Sequence, residues 1–256
     1  MRFSKWHALG NAYLVVEAEP LTPEQARRLS ADNDTDGVLE VLSLDGARAA
    51  FRVWNPDGST AELSGNGARI AARWLAERSD ADEVTLRVGT RDVAARMLED
   101  GGVHLELGPV AVRETEWLQV GDELVEVTPV SVGNPHAVVR LEPEQEALRR
   151  LGPLLETHGR FPDRTNVQLV RVDGPNELTV RAWERGVGET SASGTSAVAA
   201  AAAAVANRWA ESPVTVHMPG GDLLVELDGQ NRAALTGPVT FVAAGEWDDE
   251  TTGGPP

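Results

Sequence analysis

The chain has 256 residues, 41% hydrophobic and 25% charged, which is typical of a globular protein with one large or two ordinary domains. Forty acidic against 23 basic residues give a formal net charge of −17, which would repel a phosphate backbone and excludes nucleic acid as an expected partner. The chain has no cysteine, so disulfides, thiolate nucleophiles and cysteine-ligated metals are excluded as well.

The longest apolar stretch spans residues 197–206 and consists mostly of alanine. It is shorter than the roughly 20 residues that a membrane-spanning helix requires, so it predicts a closely packed helix buried at the centre of a sheet. The first residues of the chain show no apolar targeting segment. We therefore expect a cytoplasmic protein without a membrane partner.

The chain repeats itself at an offset close to half its length. Three stretches match in the same order, at offsets of 123, 129 and 130 residues. They are 10–16 with 133–139, 54–72 with 183–201, and 84–88 with 214–218. Because the matches keep their order and spacing, we interpret the two halves as copies of one ancestral unit.

Each half contains a strand, a glycine-containing turn and a helix in that order. The segments are 50–54, 55–59 and 67–78 in the first half, and 178–183, 184–188 and 195–209 in the second. Further strands surround one helix per half. The pattern predicts an α+β fold of two pseudo-symmetric domains, each a curved β-sheet or barrel wrapped around a central helix, with a ligand cleft between them.

We place the N-terminal half at residues 1–117 and the C-terminal half at 118–238, with a linker near 113–121. The acidic tail 248–256 ends in Thr-Thr-Gly-Gly-Pro-Pro and is predicted to be disordered. The repeated Trp54 and Trp183 are predicted to fill the two cores.

A Ser-Gly pair precedes each central helix, at Ser64-Gly65 and at Ser193-Gly194. The backbone N–H groups and the dipole at a helix start favour an anion, so two facing starts predict a clamp for one carboxylate. The alternative is that both serines are only N-caps, a role that serine often has. The repetition and the polar neighbours favour the clamp.

These neighbours are polar residues of two kinds: Asn55 and Glu184-Arg185 before the two helices, and Asn11, Asn134 and Asn166 in other turns. An arginine in a cleft pairs bidentately with a carboxylate, and asparagine amides bind amino or carboxylate groups. The Glu184-Arg185 pair is equally typical of a surface ion pair.

The chain resembles the diaminopimelate epimerase family in eight motifs, which run in order over nearly its whole length. They are 7–11 (HALGN), 55–59 (NPDGS), 64–69 (SGNGAR), 133–136 (GNPH), 164–167 (RTNV), 184–190 (ERGVGET), 219–221 (PGG) and 236–238 (TGP). The resemblance implies a pyridoxal-phosphate-independent amino-acid racemase or epimerase, an isomerase that needs no cofactor. The sequence has no metal-ligand spacing such as His-Glu-x-x-His, so no metal is expected either. The resemblance also suggests a homodimer, and a last strand at 239–247 that returns to the first half.

The resemblance further implies the roles of particular residues. The substrate α-carboxylate would lie on the helix starts, and its distal groups would be held by side chains of both halves. The carboxylate residues are Gly65, Asn66, Gly194 and Thr195; the distal residues are Asn11, Asn55, Asn134, Asn166, Glu184 and Arg185. His136 would lie near the site, where a structural histidine is the alternative.

The chain departs from the family at the two catalytic positions, where the family has cysteine and this chain has Ser64 and Ser193. A two-base racemase removes the α-proton with one group and returns a proton from the other. A hydroxyl resembles water and is far less acidic than a thiol, whose pKa is about 8.5, so its ionisation costs roughly 9 kcal/mol more. Serine therefore needs a neighbouring base, for which His136, Glu184 and Glu189 are the candidates.

The sequence thus predicts an isomerase that inverts the α-carbon of LL- or meso-diaminopimelate, in lysine and peptidoglycan biosynthesis, with activity weakened or altered by the serines. Two alternatives are a non-catalytic amino-acid-binding homologue and a same-fold isomerase that acts on another amino acid or carboxylate. The serines either belong to a natural cysteine-free branch or replace two cysteines.

Overall fold

The computed structural model describes residues 1–17, 20–61 and 64–249. Over these residues the chain forms four helices: α1 (Pro23–Asn33), α2 (Gly65–Ser79), α3 (Gln145–Glu156) and α4 (Gly194–Ala206). The strands are β1 (Arg2–Ala8), β2 (Asn11–Val16), β3 (Gly37–Asp45), β4 (Arg48–Trp54), β5 (Thr60–Ala61), β6 (Glu83–Val88), β7 (Arg91–Met97), β8 (Val103–Pro109), β9 (Ala111–Val112), β10 (Glu116–Val120), β11 (Glu123–Ser131), β12 (Pro135–Arg140), β13 (Asn166–Gly174), β14 (Glu177–Glu184), β15 (Gly188–Thr190), β16 (Val214–Met218), β17 (Gly221–Leu227), β18 (Arg232–Gly237) and β19 (Thr240–Glu246).

The chain divides into two compact units. The first unit contains Met1–Leu105 and the chain from Pro238 onward, and the second contains Glu106–Gly237. The boundary thus lies between residues 105 and 106, and not after 117. The segment 113–121, predicted as a linker, includes β10, which pairs with β11 and buries Leu118 and Val120 on one face. Its alternating pattern is that of a half-buried strand.

The two units have the same strand topology. In the first unit β1 pairs antiparallel with β2, β2 runs parallel to β3, β3 is antiparallel to β4, and β4 runs parallel to β6. In the second unit β11, β12, β13, β14 and β16 repeat this series of pairings. The predicted α+β fold of two pseudo-symmetric domains is therefore confirmed.

The alanine-rich helix α4 is buried on all sides. The alanines and the valine at 197–204 are at most 3% exposed, and the helix contacts strands β9, β11 to β14 and β16 to β18. Its predicted end at residue 209 is wrong: the helix stops at Ala206. Asn207 caps it through Ala203 O, and Arg208 turns into the left-handed region with a φ of 59°.

Each unit contains a second helix, so the prediction of one helix per unit is wrong. Helices α1 and α3 connect the parallel pairs β2–β3 and β12–β13, which cannot be joined by a tight turn. Thr22 and Gln25 form a capping box at the start of α1, with Pro23 in the first turn. Helix α3 buries Leu148, Leu151 and Leu155 on one face. The capping box of α1 and the apolar periodicity of α3 are both visible in the sequence.

Trp54 and Trp183 pack into the cores, as predicted, and each indole N–H has a glutamate acceptor. Trp54 donates to Glu40 Oε2 at 2.8 Å, and Trp183 donates to Glu156 Oε2 at 2.7 Å. Both glutamates are buried and each also accepts a backbone N–H and an arginine N–H. A buried carboxylate with three donors is fully compensated.

The last strand, β19, joins the first unit. Strand β19 pairs antiparallel with β1, and Trp247 packs into the core that contains Trp54. Of the tail predicted to be disordered, Asp248 and Asp249 are described, and Asp249 pairs with Arg28 at 2.5 Å. Residues 250–256 lie outside the described residues. Within the part of the chain that the structure describes, no helix is both long and apolar enough to cross a membrane.

The glutamate beneath Trp54 gives a first testable prediction. Glu40→Leu leaves the Leu21 N–H and the Trp54 indole without their acceptor and Arg52 without its ion pair, so we expect a loss of about 3 kcal/mol in the free energy of unfolding. Urea unfolding measures it. Glu24→Leu, at an exposed ion pair, serves as control and should change stability by less than about 0.5 kcal/mol. Equal effects of the two substitutions would contradict the role of Glu40.

Candidate active site

Ser64 is the N-cap of α2. Its backbone is extended, with φ −118° and ψ 121°, and its Oγ accepts from the N–H of Gly67 at 3.0 Å. Gly65 and Asn66, the predicted carboxylate residues of this unit, are the first two residues of the helix and are buried. The helix itself supplies no acceptors for the N–H groups of its first turn, which makes this end a place for an anion.

Tyr13 contacts Ser64. Its hydroxyl lies 3.0 Å from Ser64 Oγ, in a geometry that lets either oxygen donate. Tyr13 belongs to β2 and faces Gly37 of β3, where a Cβ atom would come within 2.7 Å of the tyrosine ring. The glycine therefore makes room for the ring and fixes its position.

A chain of amide and guanidinium groups joins half-buried Asn11 to buried Asn66 and Arg69. Arg69 Nη2 donates to Asn66 Oδ1 at 2.8 Å, and Asn66 Nδ2 donates to Asn11 Oδ1. Arg69 is fully buried, and this desolvation lowers its pKa to about 10; its Nε and Nη1 have no acceptor among the described residues. The arginine orients the Asn66 amide, and through it Asn11.

Asn11 itself is placed by a tight hairpin between β1 and β2. The two loop residues, Leu9 and Gly10, both have positive φ, 54° and 90°. A non-glycine residue in this region is uncommon, and such backbone is frequent beside functional sites. This turn sets Asn11 at the start of β2.

Ser193 is the N-cap of α4 and is 4% exposed. Its Oγ accepts from Ser196 N at 3.4 Å and donates to Glu184 Oε2 at 3.2 Å. Gly194 and Thr195 follow as the buried first residues of the helix. Ser193 thus caps its helix and also contacts the carboxylate side chain of Glu184.

The turn that carries Glu184 and Arg185 is held by two buried side chains. Asn166 Oδ1 accepts from Arg185 N at 3.0 Å, and Glu156 Oε1 accepts from Gly186 N at 2.9 Å. Asn166 Nδ2 also donates to Pro135 O, and Arg185 Nη1 donates to Asp163 O, both at 3.0 Å. In this structure Asn166 therefore positions the Arg185 backbone.

His136 is fully buried between two amides. Gln168 Nε2 lies 3.1 Å from its Nδ1, and Asn134 Oδ1 lies 2.9 Å from its Nε2, the pattern of a neutral ring protonated at Nε2. Burial lowers the pKa of His136 to about 3. His136 and Asn134 are thereby engaged with each other.

Asn55 and Glu189 have local partners. Asn55 Nδ2 donates to Ser59 Oγ at 2.9 Å within the turn after β4. Glu189 accepts from Arg181, Arg149 and Gln145. Of the three proposed helper bases, Glu184 is thus the one for which a hydrogen bond to Ser193 is found among the described residues.

Known proteins match this chain over almost its whole length. A family model described as diaminopimelate epimerase matches residues 3–112 and 128–242. The chain is 38% identical to a diaminopimelate epimerase of Desulfitobacterium hafniense, with 96% of this chain and 97% of the relative covered. The chain belongs to the diaminopimelate epimerase family. It is also 36% identical to diaminopimelate epimerase 2 of Nostoc sp., over 98% of this chain and 96% of the relative.

A solved structure shows the same fold. A predicted epimerase from Pseudomonas aeruginosa has a TM-score of 0.78 at 19% identity, covering 96% of this chain and 98% of that one. By its membership of the diaminopimelate epimerase family, the chain is a cofactor-independent epimerase, an isomerase. Among the described residues no cluster of three His, Asp or Glu side chains is arranged to hold a metal ion.

Two residues at the helix start of the first unit are not predicted from the sequence: Tyr13 and Arg69. The sequence repeat could have indicated Tyr13. The repeat pairs residues 10–16 with 133–139 at an offset of 123, and this places Tyr13 at the position that matches His136. Arg69 stands in the matched motif at 64–69, but its complete burial has no counterpart in the sequence pattern, since arginine is usually exposed.

The burial of His136 predicts a pH dependence of stability. Its pKa is about 3 in the folded chain and near 6.5 in the unfolded chain, so the unfolded chain binds more protons between these values. The free energy of unfolding should therefore fall as the pH drops below 6.5, by up to roughly 5 kcal/mol over the whole window. His136→Gln keeps a neutral polar group and should flatten this slope. Urea unfolding from pH 7.5 to pH 4 gives both slopes, and equal slopes would contradict a neutral buried His136.

Proposed function

We propose that this protein inverts the α-carbon of diaminopimelate between the LL and meso forms by two-base proton transfer. The observation that carries the proposal is the contact between Ser193 Oγ and the Glu184 carboxylate, 3.2 Å apart at the start of a buried helix. The reaction uses no cofactor. We further propose that it takes place in the cytoplasm, in lysine and peptidoglycan biosynthesis, and that the protein acts as a homodimer.

In this proposal the two helix starts bind the substrate α-carboxylate, through Gly65, Asn66, Gly194 and Thr195. Small or buried residues at these positions let a carboxylate approach the N–H groups closely. A carboxylate there also favours removal of the α-proton, because the helix dipoles stabilise the charge that develops.

The distal end of diaminopimelate carries a second ammonium and a second carboxylate. Arg185 is the cation that would pair with that carboxylate, and its backbone is held by Asn166. The remaining distal residues of the proposal are Asn11, Asn55 and Asn134. Glu184 is assigned to proton transfer because it contacts Ser193.

The Glu184 contact removes the main energetic objection to serine. A free alkoxide costs roughly 9 kcal/mol more than a thiolate, far beyond the contribution of a helix dipole. With Glu184 beside it, Ser193 takes the α-proton while its own hydroxyl proton moves to the carboxylate. Glu184 ends protonated, the substrate carries the negative charge, and no free alkoxide forms.

Binding without turnover is the second candidate function. The low acidity of a hydroxyl compared with a thiol favours this candidate. Two serines without neighbouring acid–base groups would still leave the substrate bound, but they would exchange no proton. A third candidate, inversion of another amino acid or carboxylate, differs in the distal residues it requires.

Exchange of the α-proton tests the proposal. In deuterated water we expect the protein to exchange the α-proton of LL- and meso-diaminopimelate, followed by NMR, and Glu184→Gln to lower the rate at least about 100-fold through loss of the base. Glu189→Gln is the matched control: this carboxylate is bound by Arg181 and should leave the rate within about threefold.

A Ser64→Cys/Ser193→Cys double variant separates the candidates. Exchange by the unaltered protein supports epimerisation by serine. Exchange by the cysteine variant alone would favour binding without turnover. Absence of exchange in both proteins, with LL- and meso-diaminopimelate, would contradict diaminopimelate as the substrate.

A further inference from the structure

We infer that Tyr13 is the acid–base partner of Ser64, so that its phenol holds the proton that Ser64 exchanges with the substrate α-carbon. The inference rests on the proposed function and assigns to the first unit the counterpart of Glu184 in the second. It starts from the 3.0 Å contact between the Tyr13 hydroxyl and Ser64 Oγ.

Tyr13 is held firmly in this contact. Tyr13 is 8% exposed, its strand is paired on both sides, and a Cβ atom at Gly37 would come within 2.7 Å of its ring. Ser64 is held from the other side, because its Oγ accepts the Gly67 N–H at 3.0 Å. With that acceptor position occupied, Ser64 has one hydroxyl proton to give and one further lone pair to receive. The serine can therefore relay a proton between the phenol and a group in front of the helix.

The phenol has the acidity that serine lacks. A tyrosine has a reference pKa of about 10, which is close to the value of about 8.5 of a thiol and far below that of water. The start of α2 also favours negative charge beside Ser64. A phenol bonded to the serine thus replaces the acid–base function of a cysteine at this position.

The proton transfer balances in both directions. When the first unit donates, Ser64 gives its hydroxyl proton to the carbanion and receives the phenol proton, which leaves Tyr13 as phenolate. When it accepts, the α-proton moves to Ser64 and the serine proton moves to the phenolate. In the active enzyme, Tyr13 and Glu184 share one proton, which is on the phenol before the reaction in one direction and on the carboxylate before the reaction in the other.

The equivalent residue of the second unit does not take this role. His136 matches Tyr13 in the repeat, but it is fully buried and bonded to Asn134 and Gln168. There the carboxylate of Glu184 contacts the serine instead. The two units therefore present different acid–base groups to their serines, a phenol in the first and a carboxylate in the second.

The chain contains a single tyrosine, which makes the test selective. Replacing tyrosine by 3-fluorotyrosine changes only Tyr13 and makes its phenol more acidic. We expect the alkaline limb of the pH profile of α-proton exchange to move to lower pH, because exchange stops when both partners are ionised. Difference absorbance of tyrosinate follows the same group directly, and Ser64→Ala should change its titration.

Tyr13→Phe keeps the ring and its packing against Gly37 but removes the hydroxyl. We expect exchange to fall at least about 100-fold. In the Ser64→Cys/Ser193→Cys background the same substitution should cost less than about threefold, because a thiol needs no partner. A smaller loss in the cysteine background would show that Tyr13 transfers a proton, because a purely structural role would cause the same loss in both backgrounds.

The outcomes separate the inference from the function on which it rests. Exchange by the unaltered protein, with an alkaline limb that fluorination leaves in place or an equal loss from Tyr13→Phe in both backgrounds, would overturn the role of Tyr13 and leave the proposed function standing. No exchange by the unaltered protein would overturn both.

Discussion

The candidate site depends on one requirement of the fold: a helix enclosed by a sheet must still find acceptors for the N–H groups of its first turn. Ser64 and Ser193 meet part of it by accepting from the third residue of α2 and α4. This bond fixes each hydroxyl oxygen in place. The remaining contacts of that oxygen are therefore also fixed, and they lead to Tyr13 in one unit and to Glu184 in the other.

The two units keep the same topology but differ in the chemistry around their serines. Parallel and antiparallel pairings repeat strand by strand, because the same apolar pattern has to cover the same central helix. Polar positions contribute less to that packing and have diverged. Tyr13 stands in the place of His136, and Asn55 in the place of Glu184. A two-base reaction needs an acid and a base, so this divergence suits the proposed function.

Buried ionic groups support the site from behind. Glu156 holds both Trp183 and the Gly186 N–H beside Arg185, and Arg69 holds Asn66. Each lies in a low-dielectric interior where the position of a charge is maintained by few, well-directed hydrogen bonds. Loss of such a group would therefore disturb the neighbouring backbone as well as the local charge.

The sequence by itself determined the repeat, the α+β class, the starts of both central helices and the family. These follow from local patterns: a strand, a glycine turn and a serine cap are legible in a few consecutive residues. The capping box of α1 is equally legible in the sequence. Only the tertiary structure decided which side chains meet. The Tyr13–Ser64 contact joins residues 51 positions apart through the pairing of β2, β3 and β4, and no local pattern records it. The neutral state of His136 and the burial of Arg69 likewise come from the surrounding layers, because desolvation is a property of the packed interior and not of the chain.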